Sequence, residues 1–158
     1  MRRARTAGRG TPGFSVTEVL VTVGLIGLAT TLALPSLLSY WRAATLTAGA
    51  QELQTVLNSA RQLAIRQNTS VCVERSGNLV RFRLNGCGGT IWTGPGTDPS
   101  GWIRLANAIE IVGAPSAPVV FSYLGAATPA GTFRVRNPAD ATQTLTVTVA
   151  ASGRITIP

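Results

Sequence analysis

Three residues near the N-terminus have types and spacing that suggest chemistry: Gly13, Phe14 and Glu18. Glu18 places a carboxylate at the entrance of residues 19–38, a predominantly apolar run that is long enough to cross a bilayer. An ionised carboxylate in lipid costs about 2.5–3.5 kcal/mol on insertion scales, so it requires a partner. The sequence therefore predicts that Glu18 forms an ion pair in the membrane.

The position of Gly13 bears on how the chain is processed. A general secretory signal has a shorter apolar region followed by a small-residue cleavage site. Here the small residue precedes the apolar run, so cleavage after Gly13 would leave the apolar helix on the mature protein. The alternative is an uncleaved signal-anchor in which Glu18 has no special role.

The same junction resembles the prepilin leader of type IV pilins and type II secretion pseudopilins. Glu18 stands at the fifth place after the junction and Pro35 at the twenty-second, as in that family. The resemblance implies that a prepilin peptidase cuts between Gly13 and Phe14 and methylates the new amine of Phe14. It also implies that this amine, on a neighbouring subunit, is the partner of Glu18.

Composition argues against catalysis and against a bound metal or cofactor. The 158 residues include no histidine, the commonest general base and metal ligand. The six acidic residues are scattered, and two cysteines cannot supply the four ligands of a structural zinc site. Residues 86–89 are glycine-rich but lack the lysine of a phosphate-binding loop. We therefore expect a protein that is not an enzyme and has no cofactor.

Basic residues predict the topology in the membrane. Cleavage after Gly13 would remove four of the fourteen arginines, leaving ten against six acidic residues, or +4 instead of +8. Basic residues beside a membrane helix stay cytoplasmic. We therefore expect a single-pass protein of the bacterial inner membrane, with a cytoplasmic N-terminus and a periplasmic head. The four leader arginines are Arg2, Arg3, Arg5 and Arg9.

A long helix is predicted to continue beyond the apolar run. Apolar residues recur at i, i+3 and i+4 spacing, which is typical of an amphipathic helix. Pro35 removes one backbone hydrogen bond and is expected to kink or loosen the helix, which ends near residues 67–68. The predicted organisation is a leader at residues 1–13, a membrane and assembly helix at 14–39, its amphipathic continuation at 40–68 and a head at 69–158. The stripe consists of Leu46, Ala50, Leu53, Val56, Leu57, Ala60, Leu63 and Ala64.

The head is predicted to consist of antiparallel strands, which makes the fold class α+β. Val71 and Val73, followed by residues 80–84, suggest a hairpin around Gly77-Asn78. Thr144, Thr146 and Thr148 alternate with apolar residues, as in a sheet with one solvated face. Residues 86–101 and 125–131 are predicted loops. Further strands are predicted at residues 102–105, 108–112, 119–124, 132–136, 143–150 and 154–157.

The two cysteines, Cys72 and Cys87, lie within reach of each other across the predicted hairpin. In a domain delivered to an oxidising compartment, such a pair favours a disulfide. The alternative is a pair of free, buried thiols.

Landmarks in the head resemble the GspH/FimT group of minor pseudopilins and minor type IV pilins. The resemblance implies a type IV pilin-like fold, with a small β-sandwich-like head on a long helix. It implies a subunit that helps to initiate or cap a filament of a type II secretion system or type IV pilus. Its implied partners are other pilins or pseudopilins, the prepilin peptidase and the inner membrane. The landmarks are Cys72, Cys87, Trp92, Gly101-Trp102 and Gly153-Arg154-Ile155.

Two further hypotheses stand beside the structural subunit. Some members of the FimT branch bind DNA through a Gly-Arg-x-Arg pattern, which Gly153 and Arg154 match but Thr156 does not. Other arginines could compensate, and the alternative is an ordinary solvated sheet face. A membrane-anchored adhesin or sensor outside any filament is the third hypothesis, and it predicts no processing at Gly13. The candidate DNA-binding residues are Arg81, Arg83, Arg134, Arg136 and Arg154.

Overall fold

A long helix, α1, spans Val16–Arg66 in the computed structural model, which describes residues 13–107 and 109–158 apart from the side chains of residues 32–35. The helix ends in a left-handed cap, because Asn68 has φ of +49° and the Thr69 amide donates to the Ala64 carbonyl at 3.1 Å. Three sequence predictions lie outside the described residues. They concern leader residues 1–12, the side chain of Pro35 and Ala108 in a predicted strand.

The described residues after α1 form two antiparallel sheets. The six-stranded sheet has the order β3-β2-β1-β6-β7, with β4 also paired to β2, and the four-stranded sheet has the order β10-β9-β8-β5. This architecture confirms the predicted α+β fold class. The strands are β1 (Val71–Ser76), β2 (Leu79–Leu84), β3 (Thr90–Ile91), β4 (Trp102–Arg104), β5 (Glu110–Gly113), β6 (Val119–Phe121), β7 (Ala127–Thr128), β8 (Gly131–Asn137), β9 (Asp140–Val149) and β10 (Ile155–Thr156).

The hydrophobic core joins the second half of α1 to the apolar faces of the sheets. All eight residues of the predicted stripe, from Leu46 to Ala64, are buried. They share one core with apolar residues of the strands, among them Phe82, Phe121 and Val147. Full burial of each large side chain contributes about 1.5–3 kcal/mol, so this packing positions the head on the helix.

Strand pairing agrees with the prediction where apolar and polar residues alternate over many positions. Ser76 pairs with Leu79, which leaves Gly77-Asn78 as the predicted two-residue turn. In β9, Val147 and Val149 are buried, whereas Thr144 is exposed. The prediction of one solvated face is therefore confirmed.

Two short strands lie in segments that were predicted to be loops, and those predictions are wrong. Strand β3 forms because residues 90–91 pair with the edge of β2, and β7 forms because residues 127–128 pair with β6. The strand predicted at residues 119–124 ends at Phe121, since the Gly125 amide donates to the Ser122 carbonyl and closes a turn. The two additional strands arise because tertiary pairing, and not local periodicity, creates two-residue strands.

The structure joins Cys72 and Cys87 by a disulfide, with Cα atoms 5.0 Å apart and a sequence separation of 15 residues. The bridge links β1 to the turn after β2, and Cys72 is completely buried. Closing a loop of this size removes conformational entropy from the unfolded chain.

We predict that reduction of this disulfide lowers the free energy of unfolding by about 3 kcal/mol. Urea unfolding with and without reductant measures the difference, and the Cys72→Ser/Cys87→Ser double variant controls for effects of the reductant itself. Equal stability of the oxidised and reduced wild-type protein would contradict the prediction, as would two alkylatable thiols in untreated material.

Candidate functional site

Glu18 lies in the first turn of α1, two residues after the helix begins at Val16. Its amide donates to the Ser15 carbonyl at 3.0 Å, so the backbone at this point is already helical. The positive end of the helix dipole favours a carboxylate here. Within residues 13–107 and 109–158, Glu18 has no ion-pair partner, and its side chain is exposed. The carboxylate is therefore not engaged by any residue that the structure describes.

The apolar side chains around Glu18 are exposed as well. Phe14 is 84% exposed and Leu20 is 67% exposed, values that are unfavourable for such residues in water. Among the described residues, no single straight helix is both long and apolar enough to cross a membrane. The segments Val16–Thr31 and Ser36–Arg66 reach the required length and hydropathy only when they are taken together, and the helix bends between them.

Polar residues on the second half of α1 bind the head through hydrogen bonds. The carboxylate of Glu52 accepts from the amides of Ala106 and Asn107 at 2.8 and 3.3 Å. Gln54 Nε2 donates to the carbonyl of Ile155 at 2.9 Å. Both side chains lie outside the predicted apolar stripe. Nothing local could reveal their partners, which lie 54 to 101 residues away.

Gly153, one of the sequence landmarks, is part of a cluster that we call the glycine clamp, formed by Arg61, Gly125 and Gly153. Arg61 Nε donates to the Gly125 carbonyl at 2.9 Å. Both glycines have positive φ, +80° at Gly125 and +77° at Gly153. A Cβ at Gly153 would lie 1.8 Å from the Gly125 carbonyl oxygen. The turn between β9 and β10 therefore has room only for glycine at this point.

Of the five candidate DNA-binding arginines, Arg81 and Arg83 lie on β2 in the six-stranded sheet, and both bind the carboxylate of Glu74. Arg83 Nε donates to Glu74 Oε1 at 2.7 Å, and Arg81 Nε donates to Oε2 at 2.9 Å. Arg81 also stacks over the ring of Trp102, 4.3 Å from its centroid. These arginines are therefore already engaged within the protein.

The other three candidates lie on or beside the four-stranded sheet. Arg136 pairs with Glu110 at 2.7 Å. Arg134 lies opposite Thr146, and Arg154 precedes β10; both are exposed and have no ion pair with the described part of the chain. This face thus presents two unengaged guanidinium groups beside threonine hydroxyls.

Asp140, at the start of β9, has a pKa below its ordinary value. The hydroxyl of Thr142 and its amide both donate to Asp140 Oδ1, and Arg42 adds a smaller Coulombic effect. Because the folded pKa is lowered, the stabilisation of this hairpin by the ionised carboxylate is present at neutral pH and is lost as the pH falls through the lowered pKa.

Solved structures with the same fold include a minor pilin and a minor pseudopilin. The type IV minor pilin FimU of Pseudomonas aeruginosa aligns with a TM-score of 0.55 and 17% identity, over 75% of this chain and 92% of FimU. The minor pseudopilin EpsH from the type 2 secretion system of Vibrio cholerae aligns with a TM-score of 0.53 and 13% identity, over 72% of this chain and 95% of EpsH. At these identities the similarity shows a shared fold. No curated protein sequence matches the chain.

A family model gives the stronger evidence. The model described as type II transport protein GspH matches residues 49–153, which is more than half of the chain and includes Gly153 of the glycine clamp. The match begins after the N-terminal junction, so it concerns the amphipathic half of α1 and the head. The predicted resemblance to this group is confirmed. The chain therefore belongs to the GspH family of type II transport proteins, a family of structural minor pseudopilins and minor pilins that assemble with other pilins in a filament.

Proposed function

We propose that this chain is made as a precursor, cleaved between Gly13 and Phe14, methylated at Phe14, and built into a type II secretion pseudopilus or a type IV pilus to initiate or cap it. The observation that carries the proposal is an exposed carboxylate, Glu18, at the start of an apolar helix segment in a chain of the GspH family. The domain limits that we propose are those predicted above: leader 1–13, assembly helix 14–39, amphipathic helix 40–68 and head 69–158.

Assembly would depend on the pairing of two charges. Cleavage creates an amine on Phe14, four residues before Glu18. The amine of a neighbouring subunit can neutralise the carboxylate, and in a medium of low dielectric constant such a pair is favourable only when both charges are well placed. The pair then sets the register between adjacent helices, while apolar contacts supply adhesion. Pro35 lies within α1 and is proposed to adapt the helix for this packing.

The proposed location is the bacterial inner membrane. The leader arginines keep the N-terminus in the cytoplasm, and the head is placed in the periplasm, where its disulfide is stable. The exposed apolar side chains of the N-terminal segment support insertion in lipid. The prepilin peptidase would act at the membrane surface, and the subunit would leave the bilayer only within a filament.

Intact-mass measurement of the membrane-extracted protein from its native host tests processing. We expect a mass that lacks residues 1–13 and includes one added methyl group. The Gly13→Val variant is the control, since a branched side chain at the cleavage point should block processing and preserve the full mass. An unprocessed wild-type protein would contradict the proposal and favour the membrane-anchored adhesin or sensor.

DNA binding, as in natural transformation, is a second candidate function. Arg134 and Arg154 are exposed without ion pairs to the described residues, and threonine hydroxyls lie beside them on the four-stranded sheet. Guanidinium and hydroxyl groups on one face of a sheet suit phosphate contacts, which are non-specific and steeply salt-dependent. Arg81, Arg83 and Arg136 contribute less in this hypothesis, because acidic residues already neutralise them.

A gel-shift experiment with the full chain in detergent tests this candidate. If the face binds DNA, Arg134→Glu/Arg154→Glu should weaken binding at low salt by at least about tenfold. The double variant Arg66→Glu/Arg104→Glu has the same net charge and changes exposed arginines elsewhere. Equal losses in the two variants would indicate general charge attraction. No wild-type binding at low salt would exclude the candidate.

A further inference from the structure

The pairing of β1, an inner strand of the six-stranded sheet, is incomplete on one side. Strand β1 pairs with β2 along its full length, but it pairs with β6 only through residues 71–73. The β6 strand begins at Val119, and the segment before it, residues 115–118, contains two prolines and does not continue the ladder. The last three residues of β1 therefore have a strand on one side only.

The register shows which backbone groups face the gap. Ser76 and Leu79 flank a two-residue turn, so they form a hydrogen-bonded pair, and the pairing alternates from there along β1. Glu74 accordingly faces β2, whereas the N–H and C=O of Arg75 point to the side that β6 leaves vacant. In the part of the chain that the structure describes, Arg75 has no ladder partner on that side.

A cleft of about 480 Å³ occupies the same place. Trp102 lines the cleft on the face of the sheet that carries Glu74 and Arg81, and residues 114–118 complete the lining. The other apolar lining residues, Val73, Val119 and Phe133, are almost completely buried. A cleft beside unpaired backbone groups favours a ligand that supplies its own backbone hydrogen bonds, because hydrogen bonds and ion pairs gain strength where water is excluded.

The charges at the rim specify the ligand further. Glu74 is neutralised by Arg81 and Arg83, but the exposed side chain of Arg75 has no ion pair with any described residue. The rim therefore has an excess positive charge next to the open strand edge. A carboxylate would complement Arg75, whereas a lysine or arginine at the same point would be repelled.

We propose that this cleft binds an extended, acidic segment of a partner protein, which adds a strand beside the end of β1. The segment would exchange backbone hydrogen bonds with Arg75 and present a carboxylate to its guanidinium group. Its alternate side chains, being apolar, would lie on the face of the sheet that carries Trp102. This site goes beyond the proposed function, because it requires neither cleavage at Gly13 nor charge pairing at Glu18.

A capped hexapeptide of alternating valine and glutamate is the probe. We expect it to bind the detergent-solubilised full chain and to shift the backbone amide resonance of Arg75 in a spectrum of arginine-labelled protein. Arg75→Glu should weaken binding by at least about tenfold, since attraction becomes repulsion. Arg104→Glu makes the same charge change at an exposed position outside the cleft and should leave affinity within about twofold.

Two altered peptides separate strand addition from charge attraction. The same peptide with N-methylated backbone amides should lose binding, because it cannot complete the ladder, and the peptide with lysine for glutamate should not bind. The proposal is overturned if the first peptide fails to bind at millimolar concentration, or if the N-methylated peptide binds equally well. It is also overturned if Arg104→Glu weakens binding as much as Arg75→Glu, or if a single-stranded oligonucleotide displaces the peptide from the cleft.

Discussion

Glu18→Ala should leave the protein inserted in the membrane and cleaved after Gly13, yet reduce its incorporation into filaments by at least about tenfold. The substitution removes one charge of the proposed pair and leaves the amine of Phe14 on the neighbouring subunit without a partner. Breaking a buried pair in this way costs about 3–5 kcal/mol, which is more than the loss of an exposed pair. Quantitative blotting of sheared filaments and of the membrane fraction measures the ratio.

Thr17→Ala is the matched control for this prediction, because Thr17 occupies the same helical turn and its hydroxyl bonds to Ser15 and to no other described residue. It should assemble normally. Glu18→Asp retains the charge on a shorter side chain and should assemble better than the alanine variant. Normal incorporation of Glu18→Ala would show that the carboxylate is not needed for register.

Gly153→Ala should lower the free energy of unfolding by about 4 kcal/mol. The residue has φ of +77°, and its new Cβ would lie 1.8 Å from the Gly125 carbonyl oxygen. Both turns would have to move apart, which would break the hydrogen bond from Arg61 to that carbonyl. The backbone strain at residue 153 and the loss of the Arg61 hydrogen bond would therefore both lower the free energy of unfolding.

Gly77→Ala separates the effect of backbone conformation from the effect of the collision. Gly77 also has positive φ, +59°, but a Cβ there meets no atom within 4 Å. It should cost only about 1 kcal/mol, the price of the left-handed conformation. Urea denaturation of both variants measures the difference, and equal losses would mean that the glycine clamp does not constrain the head.

The features that were predicted well are those with a long local pattern. The apolar stripe from Leu46 to Ala64 and the alternation in β9 repeat over several helical turns or strand pairs. The repeat therefore identifies which residues of each element face the core. Strands β3 and β7 have two residues each and exist only because an edge was free to pair. No periodicity is visible over so short a segment.

Polar contacts were harder to predict, with one instructive exception. The partners of Glu52 and Gln54 lie far away in the sequence, and no local signal indicates them. The ion pair between Arg81 and Glu74, however, could have been predicted from the sequence. A hairpin with Gly77-Asn78 at its turn places residues 74 and 81 directly opposite each other. Applying that register would have predicted that Arg81 is neutralised.

Zero-length cross-linking of native filaments tests the central claim most directly. A carbodiimide joins a carboxylate to an amine only when the two are in contact, so digestion and mass spectrometry should yield the Glu18 side chain linked to the N-methylated amine of Phe14 on an adjacent subunit or related pilin. The linked peptide should be absent from Glu18→Gln filaments. Recovery of an N-terminal peptide that still begins at Met1, or of Glu18 that remains unlinked when other contacts cross-link, would contradict the proposed assembly.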